Sequence, residues 1–195
     1  MPPAPEPLDL VEAFVNTLDR QRGADALATP ADLAAWLGRN GLAEDGIKVT
    51  ATELAGALEL REALRALLAE HNDEGPEPAA IAVVNRAMAA AGPVLRFLPA
   101  GGIELGAAAP GVAGALGHLL GIAFAAVADG NWERLKACRE PRCRRAFYDH
   151  ARNRGGTWCD MATCGSRAKM RAYYRRRRSA DAPEPVKLPA HGPDR

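Results

Sequence analysis

Four cysteines, Cys138, Cys143, Cys159 and Cys164, fall within one 27-residue stretch spaced C-x4-C-x15-C-x4-C. Two thiolate pairs separated by a loop match the tetrahedral ligand set of Zn2+, and four sulfurs leave no coordination position open for a substrate. The expected role of the metal is therefore structural. One Zn2+ would order a segment of about 45 residues, close to the size at which a hydrophobic core alone fails. Disulfides are the alternative use of four cysteines, in an oxidising compartment. Met1 to Leu10 is proline-rich and acidic, without the basic start and unbroken apolar run of an export signal, so the expected setting is cytoplasmic. His150 lies in the same stretch but is not needed once four sulfurs close the site.

The cysteines sit in a segment of extreme charge. Residues 1–133 carry 8 Lys/Arg against 18 Asp/Glu, residues 134–178 carry 15 against 3, and the remainder 2 against 3, so a formal net charge of +1 hides a bipolar molecule. With zinc bound to four thiolates the basic segment keeps about +10, a field suited to a polyanion, most simply nucleic acid. Arg144, Arg145, Arg152 and Arg154 follow the first cysteine pair, and Arg167, Lys169, Arg171 and Arg175 follow the last. These eight are the expected nucleic-acid contacts, with phosphate binding dominant. Tyr173 and Tyr174 could stack on bases, or one of them, with Met170, could pack back on the cysteine knuckle. No glycine-rich phosphate loop, nucleophile elbow or spaced His/Glu metal motif is present, so no enzyme activity is expected. Two readings compete with DNA binding: a docking module for RNA or protein, and a thiol-based redox sensor.

The elements that must position these residues are mainly helical. Leu10, Val11, Phe14, Val15 and Leu18 recur at helical spacing. Thr29-Pro30-Ala31-Asp32 and Thr50-Ala51-Thr52-Glu53 are helix starts, the first stopping at Gly41 and the second running to about Glu70. A further helix carries Ile81, Val84 and Met88 and ends at Gly92-Pro93. Val94 to Leu98 and Ile103 to Leu105 form a short hairpin. Residues 110–128 contain no Asp, Glu, Lys or Arg, long enough for a membrane span, yet the alanines and four glycines fit a packed central helix better, with His118 in the core and no membrane partner. In the basic segment a knuckle at Cys138–Cys143, a hairpin from Phe147 around Asn153–Gly156 to Cys159, and a helix opening at Cys164 follow the treble-clef order.

C-x4-C-x3-F-Y-D, then R-N, then W-C-x4-C-G-S-R-x-K resembles the CGNR zinc-finger family, with Cys164-Gly165-Ser166-Arg167 at the signature tetrapeptide and serine replacing its asparagine. Phe14-Val15-Asn16-Thr17, Leu33-Ala34-Ala35-Trp36-Leu37 and Leu60-Arg61-Glu62-Ala63-Leu64-Arg65 resemble the ABATE-type domain that precedes the finger in that family. The resemblance implies an ABATE-like helical domain at 8–133 and a CGNR-type finger at 134–178, while the Pro- and Ala-rich composition of 179–195 reads as a disordered tail. It also implies a bacterial, stress-related transcription regulator with a DNA-binding finger and an N-terminal domain that senses a ligand; a helical domain that instead forms a homodimer is the other expectation for this part of the chain.

Arg61 and Arg65 project into an apolar arc between Leu58 and Leu68. Buried guanidinium groups require partners, so this pair either meets internal carboxylates, for which Asp9, Glu12 and Asp19 are candidates, or lines a pocket for a small anionic ligand with Asn16.

Overall fold

Two reciprocal capping boxes set the helical frame. Thr29 Oγ1 accepts from the N–H of Asp32 at 3.2 Å while the Asp32 carboxylate accepts from the N–H of Thr29 at 2.9 Å, and Thr50 and Glu53 repeat the exchange at 3.2 and 2.8 Å. Each box satisfies two backbone donors that a helix start leaves unpaired, worth about 1 kcal/mol. A computed structural model describes residues 2–180 apart from 45, 76 and 100. Its helices are α1 (Leu8–Val15), α2 (Pro30–Arg39), α3 (Ala51–Glu70), α4 (Pro78–Ala91), α5 (Gly111–Ala128) and α6 (Ser166–Ala180). Three antiparallel two-stranded sheets complete it: β1 (Leu18–Asp19) with β2 (Ala24–Asp25), β3 (Pro93–Phe97) with β4 (Ile103–Ala107), and β5 (Leu135–Ala137) with β6 (Ala146–Tyr148). The mainly helical fold with a short hairpin and a small finger is the one expected. The tail expected to be disordered falls outside the described residues from 181 onward.

The main core gathers Val11, Phe14 and Val15 of α1, Leu33 and Leu37 of α2, Leu60, Leu64 and Leu68 of α3, and Leu119 of α5, all closed to solvent. Each such side chain contributes about 2 kcal/mol by leaving water. Phe14 and Trp36 stack tilted at 5.4 Å between ring centres.

Three local expectations are corrected. Leu18, read at helical spacing with α1, lies beyond the end of that helix at Val15 and opens the β1–β2 hairpin, which is too short to leave a periodic signal; it forms because the Asp19 carboxylate accepts from the N–H groups of Gln21 and Arg22 at 3.0 and 3.1 Å and Gly23 takes φ +67°. The finger's ladder does not run from Phe147 to Cys159. Instead β5 and β6 bracket the first cysteine pair, with Leu135 opposite Tyr148 and Ala137 opposite Ala146. The helix expected to open at Cys164 is preceded by a π-turn, Met161–Gly165, in which the Asp160 carbonyl accepts from both Cys164 and Gly165.

Helix α5 packs on α1, α4 and β4 along one side. A Cβ at Gly121 would collide with the carbonyl oxygen of Leu105, so the glycine is what lets strand and helix touch. The helix is long and apolar enough to cross a membrane by length and composition, and half of it is buried within the fold. The other half faces out: His118 is exposed, contrary to its expected place in the core, as are Phe124 and Val127.

Candidate metal centre and basic cleft

The four cysteine sulfurs come from the turn between β5 and β6 (Cys138, Cys143), the loop ahead of the π-turn (Cys159) and the π-turn itself (Cys164), and lie within 4.8 Å of one another. Cys143 and Cys159 Sγ are 3.6 Å apart, and Cys159 and Cys164 Sγ 3.8 Å. A tetrahedron with Zn–S bonds of 2.3 Å has an edge of about 3.8 Å, close to these two separations, so the donor set fits one Zn2+. As free thiols they cannot all ionise together. The hydrogen bond with Cys143 pushes Cys138 up to about 12, contact with Cys138 and Cys143 raises Cys159, and Cys143 is held low by its two thiol neighbours. A divalent cation relieves this crowding of negative charge. Cys138, Cys143 and Cys164 are buried, and Phe147, with partly buried Trp158, packs against them.

A second set of polar bonds shapes the turn after β6. Asp149 accepts from Lys136 Nζ at 2.9 Å, Gly156 N at 2.7 Å and Ala151 N at 3.0 Å, and Lys136 also donates to the Gly156 carbonyl at 3.2 Å. Burial alone would raise Asp149, but these donors outweigh it and hold the carboxyl below its ordinary value. A Cβ on Gly156 would stand 2.6 Å from the Asp149 carboxylate, which is why the turn carries glycine there.

The finger is locked to the helical bundle. Leu135, Ala137, Ala146 and Tyr148 belong to the main core, while Phe147 faces the cysteines. Asn16 exchanges two hydrogen bonds with the backbone of Ala146, at 2.9 and 2.8 Å, and Asn72 donates to the carbonyls of Ala137 and Thr157, both at 2.9 Å. Arg144, at φ +53°, forms a two-pronged pair with Glu74, one contact at 2.8 Å, so this arginine anchors the finger to the bundle. Glu74 is held below its ordinary value by that pair, and Arg144 is raised by it.

Arg61 and Arg65 are buried, and their partners differ from the three carboxylates named from the sequence. Arg61 forms a fork with Asp25 at 2.7 and 2.9 Å and reaches Thr17 and Glu62. Arg65 bonds Glu62 at 3.1 Å, the Val15 carbonyl at 2.6 Å and the Arg144 carbonyl at 2.8 Å. Asp25 could not be anticipated as a partner because the β1–β2 hairpin that presents it was not legible. Glu12 instead accepts from Ala4 N at 2.8 Å.

Burial would raise Asp25, but Arg61 and the N–H of Leu27 hold it below its ordinary value of 3.8. A depressed carboxyl stabilises the fold above its unfolded pKa, and that contribution is lost as pH falls through the folded value. Asp25→Asn is therefore expected to cost about 1–2 kcal/mol at pH 7, with the gap to the parent protein closing below pH 3.8. Urea unfolding of both proteins from pH 7 to pH 3 checks this; a gap independent of pH would refute it.

The basic residues divide into groups. Arg142, Arg167 and Arg171 meet Arg20 of the β1–β2 turn around an open cleft of about 1170 Å3, with Tyr174 and Met170 on its wall. Arg167 donates to Gln21 Oε1 at 3.2 Å, and Gln21 Nε2 in turn reaches Cys164 Sγ at 3.6 Å. Arg171 is exposed but forks onto buried Glu140 at 3.0 and 2.6 Å, pinning α6 to the knuckle. Arg145 lies with Arg20 and Arg22 in an adjoining recess of about 210 Å3. Arg152 is exposed on the turn after β6, and Arg154 pairs with Glu133 at 2.5 Å; neither lines the cleft. Lys169 and Arg175 are exposed on α6. Tyr173 and Tyr174 contact each other edge to face at 5.6 Å and, like Met170, stand about half out in solvent, so the expected packing of one of them on the knuckle is not seen. Arg20 and Gln21 were missed from the sequence, because an arginine in an acidic domain gives no hint that it meets a site more than 120 residues away.

The family model ABATE, described as "Putative stress-induced transcription regulator", matches residues 8–130. The chain belongs to the ABATE family. The CGNR zinc-finger model matches residues 134–177 of this ABATE chain, the stretch that holds all four cysteines. No curated protein matches it. At the CGNR tetrapeptide, Ser166 donates to the Met161 carbonyl at 3.4 Å, and Arg167 is the residue bonded to Gln21.

Proposed function

We propose that this ABATE-family chain is a cytoplasmic transcription regulator that holds DNA with a zinc-ordered finger, without catalysis. The observation that carries the reading is the composite cleft, in which Arg20 of the bundle joins Arg142, Arg167 and Arg171 of the finger. Guanidinium groups converging on an open groove match the spaced phosphates of a nucleic-acid backbone. Arg145, Lys169 and Arg175 extend the positive field around it. Tyr174 on the cleft wall supplies a stacking face. In this reading residues 8–133 and 134–178 work as one rigid unit, and the bundle's part is to aim the finger and contribute Arg20. Anion sensing at Asn16, Arg61 and Arg65 is no part of the proposal, since their donors are engaged inside the protein.

Fluorescence anisotropy of the zinc-loaded protein on duplex DNA across a salt series tests the proposal. Arg20→Ala and Arg167→Ala are each expected to flatten the slope of log K against log salt by about 0.9, and to weaken binding to unrelated sequences equally. Absence of binding at low salt defeats the reading, and a preference for structured RNA over duplex DNA replaces it with an RNA-binding one.

A further inference from the structure

The β3–β4 hairpin and the outer side of α5 carry apolar side chains that nothing in the fold covers. Phe97 is 80% exposed, Leu95 66%, Ile103 59%, Phe124 55% and Val127 59%. Leu95, Phe97 and Ile103 lie on one face of the hairpin, because Phe97 pairs directly with Ile103 and Leu95 with Leu105. Ile103, Leu105 and Phe124 share the wall of a recess of about 370 Å3, which joins the hairpin patch to α5, and Val127 lies one turn further along that helix. β3 is also a sheet edge with no strand beyond it among the described residues. Exposed edges and apolar patches of this kind ordinarily mark an interface.

We propose that this surface is a dimer interface, and that its occupant is a second copy of this chain related by a two-fold axis. Charge argues for self-association. The molecule is strongly bipolar, yet residues 87–128 carry only Arg96 and Glu104 as formal charges, which stand opposite each other in the ladder, and Asp129 at the end of the recess adds a single carboxylate. The surface is therefore nearly neutral, with one carboxylate at its edge, and can meet its own image with little repulsion, as an isologous contact requires. The area is of the right order: the two phenylalanines expose roughly 250 Å2 and the three aliphatic side chains a similar amount, most of the about 800 Å2 per partner in a standard interface. A lipid surface fits less well, because membrane-bound amphipathic faces are rimmed by Lys and Arg, and here only Arg96 is present. The inference is independent of nucleic-acid binding.

Sedimentation equilibrium of the full zinc-loaded chain tests it. The parent protein is expected to show a concentration-dependent dimer, and Phe97→Glu and Val127→Glu, on two separate elements, each to weaken it by about 100-fold or more with zinc content and helical signal unchanged. Both side chains are mainly in solvent, so neither change disturbs the core. A parent protein that stays monomeric up to about 100 µM overturns the proposal, as does a dimer indifferent to both substitutions. So does a monomer that co-sediments with phosphatidylcholine/phosphatidylglycerol vesicles and loses this property in Phe97→Glu, which would assign the surface to lipid.

Discussion

Stripping zinc with a chelator, or replacing Cys159 with serine, is expected to unfold the outer finger and abolish nucleic-acid binding while the α1–α5 bundle stays folded. The finger's own core contains only three buried cysteines and Phe147, with Trp158 and Cys159 partly covered. That is too little apolar surface to hold the π-turn and α6, whereas a structural zinc contributes about 10–16 kcal/mol near neutral pH. The thiols themselves resist joint ionisation, with Cys138 at about 12 and Cys159 raised, so the stripped site takes up protons and its sulfurs separate. β5 and β6 survive because Leu135, Ala137, Ala146 and Tyr148 pack in the main core. Circular dichroism should lose the helical signal of α6 and the near-ultraviolet band of Trp158, and a main thermal transition should remain. Unchanged nucleic-acid binding after stoichiometric zinc release would overturn the structural role of the metal in this activity.

Arg65→Met should cost about 3 kcal/mol and loosen the finger from the bundle, because it strands two carbonyls that this guanidinium alone ties together across the junction. Its bonds to Val15 O at 2.6 Å and Arg144 O at 2.8 Å connect the end of α1 to the knuckle between Cys143 and Ala146. Arg61→Met removes a fork to Asp25 within the bundle and leaves that junction intact. The two variants should therefore separate: both lower the urea midpoint, but only Arg65→Met weakens nucleic-acid binding at full zinc occupancy. A stability loss under 1 kcal/mol for Arg65→Met, or equal binding by the two variants, would rule out its bridging role.

Much of this protein is legible one segment at a time. Thr29 with Asp32 and Thr50 with Glu53 are local patterns, since a helix start is satisfied by residues three positions away, and both boxes form as read. Gly92 ends α4 at φ +61°, again a property of one residue's backbone. The finger's ladder was misplaced because strands of three residues carry almost no periodic signal, and the pairing across the knuckle follows from the packing of Leu135, Ala137, Ala146 and Tyr148 in the main core.

Cysteine number and spacing, taken alone, pointed to a metal with closed coordination and located the finger, because ligand chemistry depends on residue type and short-range reach. Residue counts likewise determined that opposite charges occupy opposite ends of the chain. Only the tertiary structure decided which charges meet. It gave Asp25 to Arg61, Glu74 to Arg144 and Glu140 to Arg171, and brought Arg20 beside Arg167. An ion pair is selected by distances of about 3 Å between groups that chain separation does not constrain, so it is settled when the helices pack.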